Sequence, residues 1–198
     1  MAEKGIGKPG RLKFLKSASD VSGCPQDNTP EIALAGRSNA GKSSFINGLH
    51  GSSIAKISGK PGKTRLLNFF EVGESYRLVD MPGYGFASVS AKEMKLWQEM
   101  IENYLSLRGN LRGLILIMDV RRNWTQDEQL LVDFMSAREL PSVVVLTKAD
   151  KLKRGPSLQR KKKIQNDSGL PCFLCSHPKK QGFYEIEEFI FQNWVAKG

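Results

Sequence analysis

The chain has 198 residues, a formal net charge of +10 and three cysteines. That length suits one α/β domain whose core needs no covalent staple, and an odd cysteine count argues against a disulfide framework. No apolar stretch approaches the ~20 residues that cross a bilayer. The basic start, Met1 to Lys16, lacks the apolar core of a secretory signal, so a cytoplasmic protein is expected.

In chain order, Lys4, Lys8, Arg11, Lys13 and Lys16 load residues 1–22, which read as a basic arm ahead of a single domain over 23–198. The apolar run Ile32-Ala33-Leu34-Ala35 predicts a strand near 31–36, and a helix is expected over 42–49. Between them lies Gly36-Arg37-Ser38-Asn39-Ala40-Gly41-Lys42-Ser43, which fits the phosphate-loop pattern G-x-x-x-x-G-K-[ST] in its required strand–loop–helix context. The glycines let backbone N–H groups approach an anion, and the new helix points its positive end at the phosphates. Lys42 adds a point charge for the outer phosphates, and the Ser43 hydroxyl can ligate magnesium.

Strands are expected next at 65–72 and 76–80, joined through Gly73-Glu74 as a hairpin, so one edge strand should run antiparallel. The second of these strands runs into Asp80-Met81-Pro82-Gly83. An aspartate there can hold magnesium through water, and the Gly83 N–H can contact a terminal phosphate. A helix over 91–107 carries Met94, Trp97, Met100, Ile101, Tyr104 and Leu105 on one face, a spacing that suits core packing better than a partner surface.

A strand at 113–119 and a helix at 125–138 precede the strand 142–147, which ends in Thr147-Lys148-Ala149-Asp150. The carboxylate of such an aspartate accepts from the ring N–H and the exocyclic amine of guanine together. Adenine offers no such pair of donors at that edge. The Lys148 stem can lie across the base. Helices at 157–166 and 183–195 flank a last strand at 171–175. The fold expected is a three-layer α/β domain with about five helices and a six-stranded, mostly parallel sheet. Lys151, Lys153, Arg154, Arg160, Lys161, Lys162 and Lys163 form a second basic cluster without an acid among them, suited either to a polyanion or to solvation. Cys172 and Cys175 share a C-x-x-C, but no second pair completes a metal site and strand spacing sends the two thiols to opposite faces.

With the phosphate loop, Gly59-Lys60-Pro61-Gly62-Lys63-Thr64-Arg65, Leu67-Asn68-Phe69-Phe70, Asp80-Met81-Pro82-Gly83-Tyr84-Gly85-Phe86-Ala87, Thr147–Asp150 and Ser176–Gly182, the chain resembles the EngB family of bacterial ribosome-biogenesis GTPases. The likeness covers roughly residues 10–196. It implies a P-loop GTPase that binds GTP and GDP through residues 36–44 (Ser44 included), Gly62, Lys63, Thr64, Arg65, Asp80, Met81, Pro82, Gly83 and Thr147 to Asp150. It makes Thr64 the switch threonine, a magnesium ligand with Ser43 and Asp80, and it makes residues 82–90 the second switch. It assigns Lys42, Thr64 and Gly83 to the hydrolytic step. Cys175, Ser176 and His177 fall in the last guanine-contacting loop, although Cys175 replaces a serine and His177-Pro178 adds a residue.

Many GTPases follow the D-x-x-G segment with a water-orienting glutamine. Here Tyr84 stands in that position, so slow hydrolysis is expected. Asn39 corresponds to an asparagine that helps hold potassium in similar GTPases; tolerance of the turn geometry explains it equally well. The resemblance also implies binding to the large ribosomal subunit or its precursor, and a monomer is expected. Two other readings compete: a cell-division (septation) regulator acting through a protein partner, and an ATP-dependent nucleoside or nucleotide kinase. Thr147–Asp150 and the lack of a lid motif argue against the kinase.

Overall fold

A computed structural model describes residues 12–50, 66–84 and 91–196. Among them, one sheet of seven strands runs in the order β1-β3-β4-β2-β5-β6-β7. The strands are β1 (Leu12–Ala18), β2 (Glu31–Ala35), β3 (Leu67–Val72), β4 (Tyr76–Asp80), β5 (Leu111–Asp119), β6 (Ser142–Thr147) and β7 (Cys172–Leu174). Helices α1 (Lys42–His50), α2 (Ala91–Leu107), α3 (Gln126–Ser136), α4 (Arg154–Ser168) and α5 (Phe183–Ile190) complete the domain, with α5 continuing as a π turn over Phe191–Val195.

Strand alternation builds the three layers. Ile32 and Leu34, Ile115 and Ile117, and Val143 and Val145 face one side, where they pack with Phe45, Ile46 and Leu49 of α1 and Phe183, Ile186 and Ile190 of α5. Ala33 and Ala35, Leu114 and Leu116, and Val144 and Leu146 face the other side, against α2, α3 and α4. Met100, Tyr104 and Leu105 are buried there, so the described part of the α2 stripe is core.

The sheet differs from the expected six strands at one edge. Residues 12–18, read from sequence as part of an arm, pair antiparallel with β3. The antiparallel member, β3, is therefore an inner strand, and β1 is the edge. The sequence hides β1 because its register shifts between Phe14 and Lys16, which breaks the period-2 pattern, and because Phe14 and Leu15 remain exposed. Residues 1–11 lie outside the described residues.

Parallel register sets the functional edge. Leu34 of β2 pairs with Asp80 of β4 and with Ile115 of β5, and Asp119 of β5 pairs with Thr147 of β6. The carboxyl ends of four strands thus gather on one rim.

The opposite rim is fastened by a buried carboxylate. Glu31 is fully buried and accepts from the Tyr104 hydroxyl at 3.0 Å. It also accepts from Arg108, through Nε at 3.1 Å and Nη2 at 2.5 Å. Removing the guanidinium strands this charge. Arg108→Ala should therefore cost about 3–5 kcal/mol, read as a lower midpoint in urea unfolding, while nucleotide affinity of the folded protein stays unchanged.

Candidate nucleotide site

The phosphate loop is a tight turn against two neighbours. Its Ala40 N–H donates to the Arg37 carbonyl at 3.0 Å, and Phe45 N–H opens α1 by donating to Gly41 at 2.8 Å. Gly41 has φ +102°, a left-handed conformation that glycine adopts without strain, and an added Cβ would meet Thr147 Oγ1 at 3.1 Å. Asn39 also sits in the left-handed region, at φ 62°.

The half-buried Ser43 stands in the first turn of α1 beside Lys42, whose ammonium lies 3.5 Å from the Gly36 carbonyl and 3.9 Å from Asp80 Oδ1. Burial pulls the Lys42 pKa down, and Asp80 partly opposes that. The Asp80 carboxyl is pushed up to about 6 by burial, against the pull of Lys42. Its Oδ1 is buried with no hydrogen-bond partner among the described residues. A buried carboxylate oxygen at the phosphate loop, with the Ser43 hydroxyl in the first turn of the helix that follows, is the donor chemistry that a hard divalent cation takes, so these residues fit magnesium.

Asp80-Met81-Pro82-Gly83 leads straight onto the loop. The Ser38 N–H donates to the Tyr84 carbonyl at 3.2 Å, and Met81 N–H donates to Leu34 at 3.1 Å. The Tyr84 hydroxyl points away to α3, donating to Glu128 at 3.0 Å. Arg37 is drawn the same way. Its Nη2 lies 2.5 Å from Asp127, and its Nε lies 3.4 Å from Glu128. The Arg37 side chain thus docks on the start of α3, and its backbone stays in the phosphate loop. Gly62, Lys63, Thr64, Arg65 and residues 85–90 lie outside the described residues.

The Thr147–Asp150 segment and the 175–177 loop come together at this rim. Thr147 Oγ1 lies 2.5 Å from the Ala40 carbonyl and 3.0 Å from that of Met118, which ties the β6 end to the phosphate loop. Lys148 reaches back to Asn39, donating to its carbonyl at 2.8 Å. Asp150 accepts from the Ser176 hydroxyl at 2.7 Å, and that bond holds its carboxyl below the usual range. Cys175 has its N–H on Leu146 at 2.9 Å and its carbonyl accepting from Ala149 at 3.1 Å. Its thiol is buried and pushed up to about 12 by desolvation. Ser176 and Gln181 exchange backbone hydrogen bonds at 3.0 and 3.1 Å, and His177 to Lys180 form the exposed turn between them. Of the loop trio, Ser176 thus works through its hydroxyl on Asp150, Cys175 braces the backbone, and His177 is out in solvent.

Sequence reasoning missed Asp119, Asp127 and Glu128. Asp119 had a signal: it ends the apolar run Leu114–Met118, the same strand-end position that Asp80 and Thr147 occupy.

The fold and this rim define a P-loop GTPase. The family model described as "50S ribosome-binding GTPase" matches residues 31–148. A probable GTP-binding protein EngB of Bdellovibrio bacteriovorus is 52% identical over 193 residues, covering 97% of this chain and 96% of that protein. One from Streptococcus pneumoniae is 45% identical over 185 residues, covering 91% and 95%. A crystal structure of a probable GTP-binding protein EngB superposes with TM-score 0.67 at 22% identity, over 82% of this chain and 97% of that one. An Aquifex aeolicus Era variant bound to GDP.AlF4- gives 0.69 at 21% identity, over 84% and 57%; both likenesses show the fold alone. The chain belongs to the EngB family of GTP-binding proteins, and it is a GTP hydrolase.

Proposed function

We propose that this chain is a magnesium-dependent GTP switch that assists assembly of the large ribosomal subunit, with normal cell division depending on that service. The observation that carries the switch reading is the buried Asp80 oxygen, which among the described residues has no hydrogen-bond partner and only the Lys42 ammonium, 3.9 Å away, to offset its charge. In this reading Lys42 and the loop N–H groups neutralise phosphate charge, and the Gly83 N–H meets the terminal phosphate. Ser43, Thr64 and, through water, Asp80 hold magnesium, which supplies further charge neutralisation when bound. Loss of the terminal phosphate then releases the two switch segments. Asp150 reads guanine, Lys148 covers the base, and Ser176 orients Asp150.

Hydrolysis is slow in this proposal because Tyr84, in the place of a water-orienting glutamine, has its hydroxyl committed to Glu128. Potassium at the phosphates rests on Asn39. Because that residue is left-handed, Asn39→Gly is the clean test: it removes the amide while tolerating the backbone. Hydrolysis should be faster in potassium chloride than in matched sodium chloride, and Asn39→Gly should abolish the difference. Equal wild-type rates in the two salts would remove the cation and leave the GTPase intact.

The ribosomal partner is supported by the name of the matching family model and by the charge of α4. Not all of its cations are free. Arg160 donates to Asn123 at 2.6 Å, Lys163 pairs with Asp167 at 3.2 Å, and Lys161 lies 5.9 Å from the Phe173 ring centroid. Lys162 is exposed and, with Lys153 and Arg154, faces solvent. Sedimentation with large subunits in GTP and GDP tests the reading, which places the protein in the cytoplasm as a monomer. Among the described residues no helix is long and apolar enough to cross a membrane. Binding should weaken steeply with salt, by about 0.7–0.9 log units per phosphate contact for each log unit of salt. Replacing Lys161, Lys162 and Lys163 by alanine should flatten that slope and spare GTP affinity. No association in either nucleotide state at low salt would favour a division role through a protein partner.

A further inference from the structure

Lys148 is held in an unusual way. Its backbone is left-handed, at φ 56° and ψ 34°, which turns the side chain back across the rim. Its ammonium donates to the Asn39 carbonyl at 2.8 Å and lies 3.1 Å from Asp119 Oδ2. Asp119 is 4% exposed. Its pairing with Thr147 sets the carboxylate beside residue 148.

The carboxylate is itself fixed. Arg121 donates to Oδ1 through its backbone N–H at 3.0 Å and through Nε at 2.9 Å, and to Oδ2 through Nη2 at 2.6 Å. Burial alone would raise the Asp119 pKa, but the donors from Arg121 and Lys148 outweigh it and hold the group well below the usual carboxylate range. A permanent buried charge therefore faces the ammonium, and neither nucleotide nor water has to supply it.

We propose that Asp119 is a positioning residue for guanine nucleotides: it anchors the Lys148 ammonium so that the four-carbon stem forms a preformed floor for the base. The proposal rests on the base-side reading of Lys148 and Asp150 given above. Lysine carries more rotamer freedom than most side chains, and freezing it during binding costs affinity. The anchor removes that freedom before the nucleotide arrives, so the cost falls on folding instead of on association. Because the anchor acts on the base and not on the terminal phosphate, GDP and GTP gain equally. The chemical step is left alone.

The test measures GDP and GTP dissociation constants and steady-state hydrolysis for the full chain and its variants. Asp119→Asn keeps the volume and removes the charge. It should raise both dissociation constants by about tenfold, the order expected for one charge-assisted hydrogen bond. KM should rise by the same factor while kcat at saturating GTP holds. Lys148→Met keeps an apolar stem without the ammonium, and in that background Asp119→Asn should add less than about twofold, because contacting residues that act through one another are not additive. Asp119→Ser is measured in parallel, so that poor folding of one variant leaves the question answerable. Arg121, more than half exposed, steadies Asp119 from the solvent side, so Arg121→Ala should raise both dissociation constants by less than Asp119→Asn does.

Full additivity in the double variant would overturn the proposal, as would a loss confined to GTP or a fall in kcat with KM unchanged. Reproduction of the whole loss by Arg121→Ala would do so too, by moving the effect off Lys148. Asp150→Asn with xanthosine triphosphate runs alongside. If that variant fails to switch base, the base-side reading falls; if it switches while Asp119→Asn is silent, only the anchor falls.

Discussion

Asp150→Asn is expected to lose GTP and gain xanthosine triphosphate. Two charge-assisted hydrogen bonds to guanine are at stake, each worth about 1.5–3 kcal/mol net. Their joint loss is about 3–6 kcal/mol, a fall in GTP affinity on the order of 10²–10⁴-fold. Xanthine carries an oxygen where guanine carries the amine, so the asparagine amide can donate where the carboxylate could only accept. The geometry makes the switch clean. Asp150 is fixed by the Ser176 hydroxyl at 2.7 Å, and the asparagine oxygen can keep that acceptor role while its amide faces the base. Lys151 lies 3.5 Å from the other carboxylate oxygen, but it is more than half exposed and contributes little. Calorimetric titration of both nucleotides into both proteins reads the result. Unchanged GTP affinity in the variant would remove Asp150 from the site.

How much of this was legible in the chain follows from how local each feature is. The phosphate loop is eight consecutive residues whose strand and helix flanks are equally local, so spacing alone finds it. Thr147–Asp150 is legible for the same reason, as the end of a continuous apolar strand. Asp119 is not, since its partner lies 29 residues on and meets it only through the parallel register of β5 and β6. The Arg37 side chain is illegible for a related cause. The pattern fixes its backbone, but its side chain answers to Asp127, 90 residues away, and to the adjacent Glu128, on a helix whose cap the sequence does not tie to the loop.

β1 escaped because a bulge and an exposed edge erase the alternation that reveals a strand. The departure at Cys175 and His177 was visible, but its consequence was not. The extra residue is absorbed in the exposed His177–Lys180 turn, and the Ser176–Gln181 pair closes the loop beneath it, so the Ser176 contact to Asp150 survives.

That closed loop makes Gly182 the most demanding glycine near the base side, and Gly182→Ala should damage both stability and binding. Gly182 caps α5 at φ +82°, and an added Cβ would lie 2.0 Å from the Leu174 carbonyl oxygen and 3.1 Å from Cys175 Cα. Both neighbours are backbone, so no side chain can swing aside. Left-handed alanine costs about 1–2 kcal/mol and overpacking adds about 1–3. At about 2–4 °C per kcal/mol for a domain of this size, melting should fall by about 4–20 °C. Relief of the clash must move the 174–176 segment, which carries the hydroxyl that orients Asp150. GDP should therefore raise the melting temperature of the variant less than that of wild type, since bound ligand stabilises in proportion to affinity. Gly155, in the first turn of α4, is the counter-case: a Cβ there meets nothing within 4 Å, so Gly155→Ala should stabilise by about 0.5–1 kcal/mol. Thermal melting with and without GDP separates the two sites. A Gly182→Ala protein melting within about 2 °C of wild type would mean that the loop and the α5 cap do not meet as closely as the structure has them.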